Sequence, residues 1–221
     1  MVGLYLGPDV MNAICFDLDG TLTDPKLGVT RSIRYAMEKL NRVAPDEDEL
    51  TWCIGPPLVE CFKKLLGDEH EALAALSFYR ERFSEIGIYE NVLYAGIRET
   101  LATLADDGRR LFVATSNATV FAERIIDYFD LSQYFEAVCG SELDGTRTDK
   151  TELLAWLLKE KRLEPAVATM VGDRGHDIVG ARNNGMATIG VLYGYGTESE
   201  LIEAGAAKLC GNPNDLTIVL S

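Results

Sequence analysis

At 221 residues, with 47% hydrophobic and 25% charged residues, the chain has the composition of a globular protein large enough to bury a substantial core. A net charge of −14 excludes the basic surface that non-specific binding to a nucleic-acid polymer requires. No apolar run reaches the ~18 residues that span a bilayer, and Met1–Pro8 lacks the basic and apolar regions of a signal peptide, so a cytoplasmic protein with no membrane partner is expected.

In chain order, residues 1–11 read as a ragged extension, with Met11 as the natural start. Ala13-Ile14-Cys15-Phe16 is a short apolar run that predicts a buried strand. Asp17 and Asp19 follow one residue apart, so an extended backbone would direct both carboxylates the same way. Like charges that close repel unless a cation lies between them, and a hard divalent ion such as magnesium suits oxygen ligands and phosphate substrates. Gly20 frees the backbone to turn amide N–H groups toward an anion.

Asp24-Pro25-Lys26-Leu27-Gly28 reads as a loop, and Ile33, Met37 and Leu40 form a helical stripe after it. Residues 44–48 are a polar linker. The turn Ile54-Gly55-Pro56-Pro57 opens a helix through Cys61, Phe62, Leu65 and Leu66, and a third helix is predicted over about Glu69–Ile86. Residues 24–90 therefore read as a helical insertion after the first strand. Beyond Tyr94, strands at Leu111–Ala114, Ala137–Cys139, Ala168–Val171, Ala187–Val191 and Lys208–Cys210 alternate with helices, which predicts an α/β fold with a doubly wound parallel sheet. Sites on such sheets lie at the carboxyl ends of the strands.

Three further strand ends stand out. Thr115-Ser116-Asn117 offers either phosphate-binding hydroxyls or a helix N-cap. Asp149 and Glu152 have capping-box spacing, placing Lys150 in a first helical turn, where it either meets an anion or is solvated. Gly172-Asp173-Arg174-Gly175-His176-Asp177 sets two carboxylates four residues apart, as site ligands facing Asp17 or as ordinary helix-start residues. His176 reads as a surface or neighbouring residue rather than a base. The five scattered cysteines predict buried reduced thiols, and two histidines are too few for a histidine-rich metal centre.

From Asn12 onward the chain resembles the haloacid dehalogenase-like hydrolase superfamily. The likeness rests on Asp17-Leu18-Asp19-Gly20-Thr21, Thr115 with Ser116, Lys150, and Gly172 to Asp177, in that order. It implies a Rossmann-like core over residues 1–23 and 91–221 and a helical cap over 24–90. Asp19 is the residue that phosphatases and phosphomutases of the family keep and dehalogenases lack. Finer similarity is to the phosphoglycolate phosphatase-like and 5′-nucleotidase-like branch, carried by stretches such as Ile54–Leu58, Gly140–Gly145 and Gly190–Gly196. Asn117 and Ala118 stand where relatives commonly have lysine and proline, and Ala207 where an aspartate is common.

The resemblance implies a magnesium-dependent phosphatase acting on a small phosphorylated metabolite. Asp17 would be the nucleophile, Asp19 the proton donor and acceptor, and Lys150 the cation that neutralises Asp17. Magnesium would be held by Asp17, the Asp19 carbonyl and Asp173, with Asp177 in support. Gly20, Thr21, Thr115, Ser116, Asn117 and Lys150 would hold the phosphate. A phosphomutase or a non-catalytic binding protein on the same fold are the alternatives. Specificity would lie in the cap, where Arg34 and the Gly55-Pro56-Pro57 turn are candidates. Oligomeric state is not legible in the sequence.

Overall fold

The computed structural model describes residues 13–221. The extension 1–11 and the start expected at Met11 lie outside the described residues.

Six parallel strands form the central sheet: β1 (Ala13–Phe16), β4 (Arg110–Ala118), β5 (Ala137–Ser141), β6 (Ala168–Gly172), β7 (Ala187–Val191) and β8 (Lys208–Cys210). Two-residue strands β2 (Thr23–Asp24) and β3 (Val92–Leu93) pair antiparallel beside it. The sheet order is β5-β4-β1-β6-β7-β8. Counted along the chain, that is the doubly wound order 3-2-1-4-5-6. The chain leaves β1 for β4 and β5 on one side, then returns to β6 on the other. The crevice at the carboxyl ends of β1 and β6 is therefore the switch point where such sheets bind ligands.

Both sheet faces are buried, which is why its strands are apolar runs. Ile14 and Phe16 point to one face and join a cluster with Ile97, Leu101 and Leu104 of α4 (Ile97–Asp106) and Ala122 and Ile125 of α5 (Thr119–Tyr128). Ala13 and Cys15 point to the other, against Leu153, Leu154 and Leu157 of α6 (Lys150–Glu160) and Ala181 of α7 (Gly175–Asn183). All five cysteines are buried and free.

Between β2 and β3 lie α1 (Lys26–Lys39), α2 (Leu58–Leu66) and α3 (Glu69–Glu85), the segment expected to act as the cap and called the cap below. Gly67, with φ +72°, ends α2, and the Asp68 carboxylate caps α3 by accepting from the Glu71 N–H at 2.8 Å. Inside the cap Phe62 meets Tyr79 edge-on and Tyr79 stacks on Phe83, and Phe83 meets Phe121 of α5 edge-on at 5.7 Å, so one apolar cluster runs from cap into core. Where cap and core chains cross, Glu90 accepts from Arg31 of α1 and Arg82 of α3.

One strand runs further than its apolar run predicts. β4 continues through Thr115-Ser116-Asn117 to Ala118, with an irregularity after Ala114 and a renewed pairing of Ala118 with Ser141. Gly140 permits this close approach, since a Cβ there would lie 2.3 Å from the Asn117 carbonyl oxygen. The N-cap of α5 is accordingly Ala118, with no side-chain cap, and not the 115–117 cluster.

Candidate active site

The site begins where β1 ends. The Asp17 N–H donates to the Val171 carbonyl at 2.9 Å, holding Asp17 against β6, and its side chain is buried. The chain then reverses around the Leu18 carbonyl, which accepts from the N–H groups of Thr21, Leu22 and Thr23. Gly20 sits at φ +90°, and a Cβ there would lie 2.2 Å from Asp173 Oδ2. A Cβ on Gly194, after β7, would lie 2.3 Å from the Gly20 carbonyl oxygen and 2.4 Å from Asp173 Cβ. Backbone from the loops after β1 and β7 thus closes directly on Asp173, which follows β6.

Lys150 is the first residue of α6, whose N-cap Asp149 accepts from the Glu152 N–H at 3.1 Å. The helix aims the lysine into the crevice, where it is 3% exposed, and the solvated reading does not hold. Its Nζ donates to Asp17 Oδ1 at 2.9 Å and to the Ala114 carbonyl at 2.7 Å, and lies 2.8 Å from Asp177 Oδ1. Burial opposes its charge, but Asp17 and Asp177 outweigh burial and hold the ammonium well above the ordinary lysine range.

Asp17, Asp173 and Asp177 bring one carboxylate oxygen each to within 4.8 Å of one another. One ammonium faces three buried carboxylates, so with all three ionised two negative charges would stay uncompensated. Asp177 is paired: its Oδ2 accepts from the Arg174 N–H and its Oδ1, which accepts no hydrogen bond, lies 2.8 Å from Lys150 Nζ; burial is offset by Lys150, His176 and these contacts, which keep its carboxyl below the usual range. Asp173 is not. Its Oδ2 accepts from the Tyr195 N–H at 2.7 Å, while Oδ1 is buried without a donor. Burial and the neighbouring Asp17 and Asp177 charges push the Asp173 carboxyl far up, and Asp17 is also raised, chiefly by burial. An all-oxygen donor set, an orphaned buried carboxylate oxygen and a deficit of two positive charges fit a hard divalent cation such as magnesium. Asp173 is not the helix cap that its position allowed; the N-cap of α7 is Arg174.

Asp19 adjoins this cluster and lines a cavity of about 420 Å³ between core and cap. Burial, and then the Asp17 charge, push its carboxyl up to about 7 against the pull of a hydrogen bond from Asn117 Nδ2 to Asp19 Oδ2 at 3.1 Å. Ser116 and Asn117 line the same cavity, and Ser116 Oγ is buried without a partner. Thr115 is buried behind them and accepts from the Asn117 N–H at 3.1 Å; Thr21 Oγ1 is buried and unpartnered.

His176 Nε2 lies 3.7 Å from Asp177 Oδ1 and makes no hydrogen bond. Arg34 donates to the Pro45 carbonyl and Asp46 on the cap surface, away from the cavity, whereas Gly55-Pro56-Pro57 does line it. Sequence reasoning missed three participants. The Tyr195 backbone holds Asp173, Arg174 donates to the Ile54 carbonyl of the cap, and Arg80 lines the cavity roof. Only the first had a signal, the glycine-rich run Gly190–Gly196.

A sequence model of haloacid dehalogenase-like hydrolases matches residues 14–191. The chain is 50% identical over 189 residues to a 5′-nucleotidase of Pseudomonas aeruginosa, covering 85% of this chain and 86% of that protein. It is 41% identical over 184 residues to the tyrosine-protein kinase PtkA of Mycobacterium tuberculosis, covering 83% of this chain and 62% of that protein. A solved structure described as a predicted phosphatase from Clostridium acetobutylicum superposes with a TM-score of 0.92 at 38% identity, over 96% of this chain and 98% of that one. Among the described residues no helix is long and apolar enough to cross a membrane. With this sheet order, this carboxylate–lysine crevice and these relatives, the chain belongs to the haloacid dehalogenase-like hydrolases and is a phosphatase of that family.

Proposed function

We propose that the protein hydrolyses a small phosphate monoester, of the 5′-nucleotide or phosphoglycolate kind, through a phosphorylated Asp17 in a magnesium-dependent reaction. The observation that carries this reading is the placement of Asp17: buried at the switch point, held by Lys150 through one oxygen, and adjoined by Asp19 at the cavity.

Asp17 attacks phosphorus, forming an acyl phosphate as the ester P–O bond breaks. Asp19 gives its proton to the departing oxygen, then takes one from the water that attacks the same phosphorus and frees Asp17. A carboxyl near neutrality suits both directions of transfer. Lys150 keeps Asp17 ionised and, with Gly20, Thr21, Thr115, Ser116 and Asn117, would hold the phosphoryl oxygens. Asp17, the Asp19 carbonyl and Asp173 would hold magnesium, with Asp177 acting through Lys150; when bound, the ion offsets the repulsion between carboxylate and phosphate. Residues 24–90 would act as the cap over a core of 1–23 and 91–221, excluding bulk water.

A second reading is transfer of the phosphoryl group to another hydroxyl, as in a phosphomutase. It is supported by the identity to a protein named as a kinase. The same fold without turnover, a binding protein, is the third. One experiment separates them: inorganic phosphate released from nucleoside monophosphates, phosphoglycolate and sugar phosphates, with magnesium and with excess chelator. Release that stops in chelator supports hydrolysis. Phosphorylated acceptor without free phosphate supports transfer, and neither product supports binding alone.

A further inference from the structure

We propose that Arg80 anchors the departing alcohol of the substrate, and that this alcohol is a nucleoside rather than a two-carbon acid. The inference rests on the phosphatase reading and concerns a residue that α3 contributes to the same cavity that the proton-transfer carboxylate lines.

Arg80 lies on α3 and forms part of the cavity lining that includes Asp19. The other four cap arginines are paired: Arg31 with Glu47 and Glu90, Arg34 with Asp46, Arg42 with Glu71, and Arg82 with Glu90. Arg80 has no carboxylate partner among the described residues. Of its five N–H donors it uses one nitrogen, donating to the Leu143 carbonyl of the core at 2.9 Å. Its half-buried position works against its charge. A partly desolvated guanidinium with spare donors, lining a cleft, gains most from a ligand that brings acceptors.

Size and wall chemistry indicate which ligand. Glycolate is small, with only five non-hydrogen atoms. The cavity holds about 420 Å³, within the usual range of ligand pockets. Leu58, Leu76, Tyr79 and Phe121 give it an apolar wall, which suits a sugar and base. Glu142, paired with Arg147, and Asp144 are exposed lining residues, and Arg80 is the one arginine or lysine among the lining residues, so a leaving group with a second phosphate would find no cluster of free cations. The adjacent O6 and N7 acceptors of guanine match the fork of one guanidinium, and a uracil carbonyl can accept from one of its N–H groups.

The test needs no turnover. Binding of uridine and guanosine 5′-monophosphates, phenyl phosphate and phosphoglycolate is measured by calorimetry in Asp17→Asn protein, alone and combined with Arg80→Ala or Arg80→Lys. Loss of charge-assisted hydrogen bonds should weaken nucleotide binding roughly 10- to 100-fold in Arg80→Ala. Arg80→Lys, which keeps the charge and loses the fork, should fall between. The loss for phenyl phosphate should be at least fivefold smaller. An equal loss for every ligand would mean that Arg80 only braces the cap against Leu143, and tighter binding of phosphoglycolate than of either nucleotide would overturn the nucleoside assignment. Wild-type protein that binds nucleotides through Arg80 yet releases no phosphate would refute the hydrolase reading and leave this one standing.

Discussion

Lys150→Met is the sharpest test of the charge balance in the crevice. Methionine keeps most of the aliphatic stem and removes the ammonium that bridges Asp17, Asp177 and the Ala114 carbonyl. Removing one partner of a buried pair costs ~3–5 kcal/mol, because the remaining charge stays desolvated. Protonation limits that cost. Both carboxylates start from an unfolded value of 3.8. At 1.36 kcal/mol per pH unit, neutralising one of them costs about 4.4 kcal/mol at pH 7 and about 1.6 kcal/mol at pH 5. In the variant the folded-state carboxyl titrates above its unfolded value, so the native state binds more protons and stability falls as pH rises through that window. Urea unfolding in excess chelator should therefore show a deficit against wild type of about 4 kcal/mol at pH 7, shrinking toward 1.6 kcal/mol at pH 5. A deficit below ~1 kcal/mol at pH 7, or one equal at both pH values, would refute the reasoning.

Other consequences are open to measurement. Magnesium at 100 times its dissociation constant should add about 2.7 kcal/mol, a rise in melting temperature of roughly 5–10 °C, and Asp173→Asn should abolish the increment. Gly194→Ala forces a Cβ to within 2.3 Å of the Gly20 carbonyl oxygen and 2.4 Å of Asp173 Cβ, so it should cost ~1–3 kcal/mol in urea unfolding and weaken the magnesium-dependent rise. At Glu90, Arg82 and Arg31 outweigh burial and hold the carboxyl below the ordinary value of 4.5. Its contribution is full above 4.5 and is lost as pH falls through the lower folded value. Glu90→Gln should then be less stable than wild type by roughly 1 kcal/mol at pH 7, with the gap closing in acid.

What could be read from the sequence was chemistry tied to local pattern. The apolar run Ala13–Phe16 and the acidic turn behind it marked the first strand end, and alternating runs marked the parallel sheet. Lys150 was ambiguous because its neighbours are those of any helix start. Its burial is decided by α6 pointing at the ends of β1 and β4, a tertiary fact. The two residues each of β2 and β3 are too short to show a period. β4 outran its apolar run because the glycine at position 140 lets the Asn117 backbone pass close by, so that pairing resumes at Ala118. Asn117, expected at the phosphate, reaches the Asp19 carboxylate. Arg80 looked like any other cap arginine until the pairing of the other four left it alone.

The central claim is that Asp17 becomes phosphorylated. Protein mixed with a nucleoside monophosphate and magnesium, quenched in acid within the first turnovers and digested, should yield one peptide with a phosphoryl group on Asp17. Asp17→Asn should yield none while keeping a native circular dichroism spectrum. Phosphate release without any adduct, or wild-type turnover by Asp17→Asn, would contradict the account.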